Sequence, residues 1–91
     1  MKGDELIGEI MRRISEATAP RVGKLYVTDL MAFARTEGKR IILEVAKEHG
    51  LDVDALKALP PHDLLIVREM EDDPTGIKVS LSSTLRAMAT E

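Results

Sequence analysis

The Pro60-Pro61 pair divides this chain into two parts with different hydrophobic periods. Neither proline offers a backbone N–H, so a helix that reaches them must end there. Before the pair the apolar residues recur at helical spacing. Leu6, Ile7, Ile10, Met11 and Ile14 fall on one face, with Glu5, Glu9, Arg12, Arg13 and Glu16 turned away, which predicts an amphipathic helix with Asp4 as its N-cap. After the pair, Leu64-Leu65-Ile66-Val67 is a continuous apolar run suited to a strand covered on both faces. Ile77, Val79 and Leu81 then alternate with Lys78, Ser80 and Ser82, the period of a half-buried strand. Glu71-Asp72-Asp73-Pro74-Thr75-Gly76 lies between these runs and supplies the turn, so a hairpin is predicted. The chain therefore reads as a single α+β domain over residues 1–91, a small helical unit with a two-stranded C-terminal hairpin.

The middle segment admits two readings. Pro20 and Gly23 break the first helix, and Lys24-Leu25-Tyr26-Val27 is a short strand or an extended lead-in. Thr28 is a candidate cap for a helix over 29–35, and Thr36 or Gly38 would start a second helix running to His49, with Gly50 as a left-handed stop. One long helix competes with this pair. Val27, Leu30, Met31, Ala34, Ile41, Ile42, Val45 and Ala46 hold a helical stripe through Gly38, and a glycine costs a helix interior only about 1 kcal/mol. Asp52 is placed to cap a short helix over 53–59, and Ser82 or Ser83 a last one carrying Leu85 and Met88.

Composition bounds the class of molecule. Hydrophobic residues make up 44% of the 91 and charged residues 32%, the balance of a folding globular chain. No window resembles a spanning helix and Met1-Lys2-Gly3-Asp4-Glu5 has no apolar signal core, so a cytoplasmic protein with no membrane partner is expected. Cysteine, asparagine and glutamine are all absent. The first absence excludes disulfides, and the other two, beside abundant Glu, Lys and Arg, fit a thermophilic source.

No residue set suggests an enzyme. His49 and His62 have no partner at metal-ligand spacing, and read as a helix C-terminal residue and a loop residue beside Asp63. Asp52 and Asp54 lack the rest of a calcium loop, and no phosphate-cradling glycine loop or nucleophile elbow is present. No catalytic residue, metal ligand or cofactor is therefore assigned. With one Phe and one Tyr, recognition of single strands by stacking is disfavoured. Charge is more informative. The net is −3, yet Arg12 to Arg40 carries seven basic and three acidic residues, and Leu51 onward four basic and eight acidic. A basic segment of that kind is a candidate anion-binding face.

The stretch from Leu65 to Ser83, Leu-Ile-Val-Arg-Glu-Met-Glu-Asp-Asp-Pro-Thr-Gly-Ile-Lys-Val-Ser-Leu-Ser-Ser, is similar to the wing of MarR-type transcriptional regulators, where the second strand likewise runs into a Ser/Thr and a final helix. The order of elements as a whole resembles a winged helix-turn-helix domain. That resemblance implies duplex DNA as partner and a homodimer as the working form. In one register the recognition pair is 28–35 and 36–49, which gathers Arg35, Lys39 and Arg40 at the start of the recognition helix with Arg21 and Lys24 nearby, and these five are the candidate DNA contacts. In the other the pair is 39–49 and 52–59, where Lys57 is opposed by Asp52 and Asp54. The tip of the hairpin is acidic where the family carries Arg, so wing contacts are not carried over. Two alternatives stand beside DNA binding: a protein-interaction module serving as a small subunit or adaptor, and, if 27–49 is one helix, a histone-fold-like protein.

Overall fold

The computed structural model describes residues 2–89. It is an α+β domain of five helices followed in part by a two-stranded antiparallel sheet: α1 (Lys2–Thr18), α2 (Val27–Glu48), α3 (Val53–Lys57), α4 (Pro61–Leu64), β1 (Leu65–Glu69), β2 (Ile77–Leu81) and α5 (Ser83–Ala89). Helix α1 forms on the predicted stripe, with Leu6, Ile10 and Ile14 buried and Ile7 and Met11 half-buried against the same core. It begins at Lys2, so Asp4 lies inside the first turn instead of at the cap, where its carboxylate still favours the positive end of the helix.

Pro20 sits in a short 3-10 turn, Ala19–Arg21, and Gly23 takes φ +78° to swing the chain round. Residues 24–27 form no strand. Tyr26 is extended (φ −61°, ψ 152°), and its carbonyl accepts the first helical bond from Leu30 N at 2.9 Å, so α2 starts at Val27 and Thr28 is not a cap. A strand there would need a ladder partner, and the only ladder among the described residues is that of β1 with β2.

Helix α2 runs unbroken for 22 residues, so the two-helix arrangement of 28–35 and 36–49 does not form. Leu30, Ala34, Gly38, Ile41, Ile42, Val45 and Ala46 make one buried stripe along it, and a helix broken at Gly38 would divide that stripe. Its end follows the predicted stop. Gly50 has φ +74°, Leu51 N donates to Ala46 O at 2.9 Å and Gly50 N to Lys47 O at 3.2 Å, the paired bonds of a Schellman cap. Asp52 caps α3 by accepting from Ala55 N at 3.1 Å, but α3 is only five residues long, so in the second register residues 39–49 are half of a longer helix and the recognition element is a single turn.

Helix α3 stops at Lys57, short of the 53–59 expected and before the prolines are reached, and Pro60-Pro61 instead begins α4, with Pro61 at a first-turn position whose missing N–H is no loss. Leu64 closes α4, so the apolar run beginning at Leu64 is not a strand covered on both faces. Leu65 and Val67 are buried, while Ile66 is 40% exposed. The ladder pairs Leu65 with Leu81, Val67 with Val79 and Arg68 with Lys78. Met70 N donates to Gly76 O at 2.9 Å at the neck of the turn, and Gly76 takes φ +82°. The inner face of the hairpin lies along α2, with Leu65 over Gly38 and Gly76 beside Val27. Ser82 Oγ accepts from Leu85 N at 3.1 Å to cap α5, whose Leu85 and Ala89 complete the core against α1 and α4. No helix among the described residues is long and apolar enough to cross a membrane.

Candidate functional site

The five cations proposed from sequence do not share one ridge. Arg21, in the 3-10 turn, donates through Nη1 to Ala17 O at 3.1 Å, and its Cζ lies 4.1 Å from the Phe33 ring centroid. That distance is a cation–π contact within the domain. Lys39 Nζ donates to the carbonyls of Lys57 (3.1 Å) and Leu59 (2.9 Å), so its ammonium closes the C-terminal end of α3. Arg40 donates through Nε to Glu37 at 2.7 Å and through Nη1 to Glu44 at 2.9 Å. At about 100° per residue, Arg35 and Lys39 share the flank of α2 that meets α3, and Arg40 lies on the flank that meets α1. Lys24, exposed, and Arg35, half-buried, are the two whose side chains have no hydrogen bond or ion pair among the described residues.

Arg40 belongs to a larger ionic network that the sequence hinted at only through its own i,i+4 spacing with Glu44. Arg13 reaches across from α1 to α2, donating to Glu48 through both terminal nitrogens at 2.9 Å and to Glu44 at 3.0 Å, while its Nε holds Glu9 at 2.7 Å. Arg12 bonds Glu9 and Glu16. Three guanidinium groups thus meet five carboxylates, and the locally basic segment is covered by acidic neighbours at positions 9, 44 and 48, outside the window in which it looked basic. The carboxyl of Glu9 is held below the usual carboxylate range by the hydrogen bonds of Arg12 and then Arg13, that of Glu48 by Arg13, and that of Glu37 by Arg40. The Arg13 guanidinium is in turn held more firmly protonated, chiefly by Glu48.

His49 stands at the C-terminal end of a helix as read from the sequence, whereas His62, read as a loop residue, lies in the short helix α4. His49 is the C-cap of α2, and His62 is an exposed residue of α4 whose Nε2 lies 3.6 Å from Asp63 Oδ1. No cluster of three or more metal-ligating side chains occurs among the described residues.

A surface that sequence reasoning missed lies at the elbow joining α1 to α2. Leu25 is 42% exposed and Tyr26 83% exposed, and with Gly23, Lys24 and Asp29 they line a shallow open depression. A chain that buries Ile10, Ile42 and Leu56 completely leaves its single tyrosine outside. The only signal in the sequence was the apolar pair directly before α2, which has the same spelling whether it packs inward or not. The outer face of the hairpin is a second surface, carrying Ile66, Arg68, Lys78 and Ser80 with Met70 at the neck. Compared with known proteins, the chain matches no family model, no curated protein and no solved structure.

Proposed function

We propose that this protein is a non-catalytic interaction module, a small subunit or adaptor of a larger assembly, which docks another protein through the α1–α2 elbow. The observation that carries the reading is the exposure of Tyr26, at 83%, beside Leu25 at 42%. A tyrosine offers a large amphipathic contact with few rotatable bonds, and it is enriched among the residues that dominate binding energy. The net charge of −3 and the pairing of Arg12, Arg13 and Arg40 with carboxylates support a protein partner over a polyanion. The homodimer expected from sequence is retained as part of this reading, as is a cytoplasmic setting.

The test is capture from lysate of the source organism with tagged wild type and with the Leu25→Ser, Tyr26→Ser double variant. A stoichiometric protein held by the first and lost by the second is expected. No such protein, or equal capture by both, sinks the reading.

A winged-helix DNA-binding function is the second reading, favoured by a hairpin that follows the helices and by the unpaired Lys24 and Arg35. Anisotropy of fluorescent duplex DNA at about 50 and about 200 mM salt decides it, because phosphate-driven binding weakens steeply over that range. A flat signal at both salts removes it. Arg35→Glu is the substitution to pair with that titration, since Lys39 and Arg40 are already engaged within the domain.

A further inference from the structure

The strand register sets Arg68 of β1 directly across from Lys78 of β2 on the outer face of the hairpin. Both are exposed, and neither has an ion-pair partner among the described residues. Like charges facing each other across a strand pair are unfavourable, and within the domain only Lys78 is partly offset, by the more distant charge of Asp73. The cations are flanked by Ile66, 40% exposed, and Met70, 37% exposed. Just beyond Met70 the same hairpin turns through Glu71 and Asp72, which are also exposed and unpaired. Asp73 is already engaged, accepting from Thr75 Oγ1 at 2.6 Å and Thr75 N at 2.9 Å.

On this face, therefore, cations stand on one side of Met70 and free carboxylates on the other, Glu69 alternating to the opposite side of β1 with Ile77. A surface with that order is complementary to itself. A two-fold axis through Met70 lays the Arg68 and Lys78 pair of one copy toward Glu71 and Asp72 of the other, and covers Met70 with its own counterpart. We infer that the outer face of the β1–β2 hairpin is the homodimer interface of this protein, formed with a second copy turned end for end about Met70. The inference rests on the homodimer part of the functional reading and is independent of the Leu25–Tyr26 surface. A second copy is favoured over a nucleic acid because Glu71 and Asp72 would repel a phosphate backbone laid along this face. The contact is small and rich in exposed ion pairs, so it gives a weak dimer in the micromolar range that salt dissociates.

Sedimentation equilibrium from about 1 µM to about 1 mM protein, at about 50 and about 500 mM salt, tests it. A monomer–dimer equilibrium that weakens by about tenfold or more at the higher salt is expected. Arg68→Glu puts opposite charges across the ladder, so it should leave the monomer's thermal midpoint level or higher while abolishing the dimer. The Glu71→Lys, Asp72→Lys variant should also be monomeric, and an equimolar mixture of it with Arg68→Glu, Lys78→Glu should recover a heterodimer. A dimer that survives Arg68→Glu overturns this interface but keeps the homodimer. A monomer under every condition overturns both. Should the wild type stay monomeric yet bind duplex DNA through Arg68 and Lys78, the face belongs to nucleic acid and the inference fails.

Discussion

Gly38 of α2 lies directly beneath Leu65 of β1, so closely that a Cβ on the glycine would overlap the leucine Cδ1. Leu65 is 1% exposed, so its side chain has to shift within a filled core to make room. The glycine that looked like a helix break is the seat on which the hairpin rests.

Gly38→Ala should therefore destabilise the fold. Alanine gains about 1 kcal/mol of helix propensity, but overpacking a filled core costs roughly 1–3 kcal/mol. A net loss in urea unfolding is expected, and partial recovery when Leu65→Val is added. A stabilised Gly38→Ala variant would show that the hairpin does not press on α2 at this point.

Lys39→Ala should lower stability by about 1 kcal/mol, because two carbonyls at the end of α3 lose a charged donor. Amide exchange should quicken between residues 55 and 59, with α1 unaffected. Unchanged exchange there would mean that the lysine is an ordinary surface side chain. For this reason a charge reversal at Lys39 confounds any binding experiment with loss of structure.

The network around Arg13 predicts an acid limb of stability with a definite sign. The carboxyls of Glu9, Glu37 and Glu48 titrate below their ordinary value of 4.5 in the folded chain. The stability they contribute is therefore complete above the unfolded carboxylate range and is lost as pH falls through the lower, folded values. Urea midpoints measured from about pH 7 to about pH 2 should drop over that window, and less steeply in Arg13→Ala. Equal slopes for the two proteins would remove the network from the account of stability. Added salt should shrink the wild-type advantage, since these groups lie at the surface, Glu48 exposed and Glu9, Arg13 and Glu37 half-buried.

The caps allow a narrower check. Asp52→Ala and Ser82→Ala should each cost about 1 kcal/mol, because each leaves a first-turn N–H without its acceptor. Serine at position 52 should restore most of the loss, whereas a neutral outcome for Asp52→Ala would mean that α3 is held by Lys39 alone.

Local chemistry was legible wherever one segment decides its own conformation. The stripe on α1, the glycine stop at Gly50, the Asp52 cap and the Gly76 turn all depend on neighbours within a few residues, and each stands in the structure. The errors lie where distant segments compete. Whether 28–49 breaks at Gly38 depended on Leu65, which lies 27 residues onward. The candidate basic face dissolved for a similar reason, because Glu44 and Glu48 on α2 fold against Arg13 on α1 and Lys39 turns to α3.

By itself, then, the amino-acid order determined the amphipathic helix α1, the stop of α2 at Gly50, the capped turns that begin α3 and α5, and that a hairpin follows the Pro60-Pro61 pair. Periodicity and capping act over one or two turns, and need nothing from the rest of the chain. Only the tertiary structure decided that α2 is continuous, which cations are neutralised, and that Tyr26 points outward. Those outcomes depend on which surfaces meet, and packing and Coulomb interactions between segments far apart in sequence leave no local pattern to read.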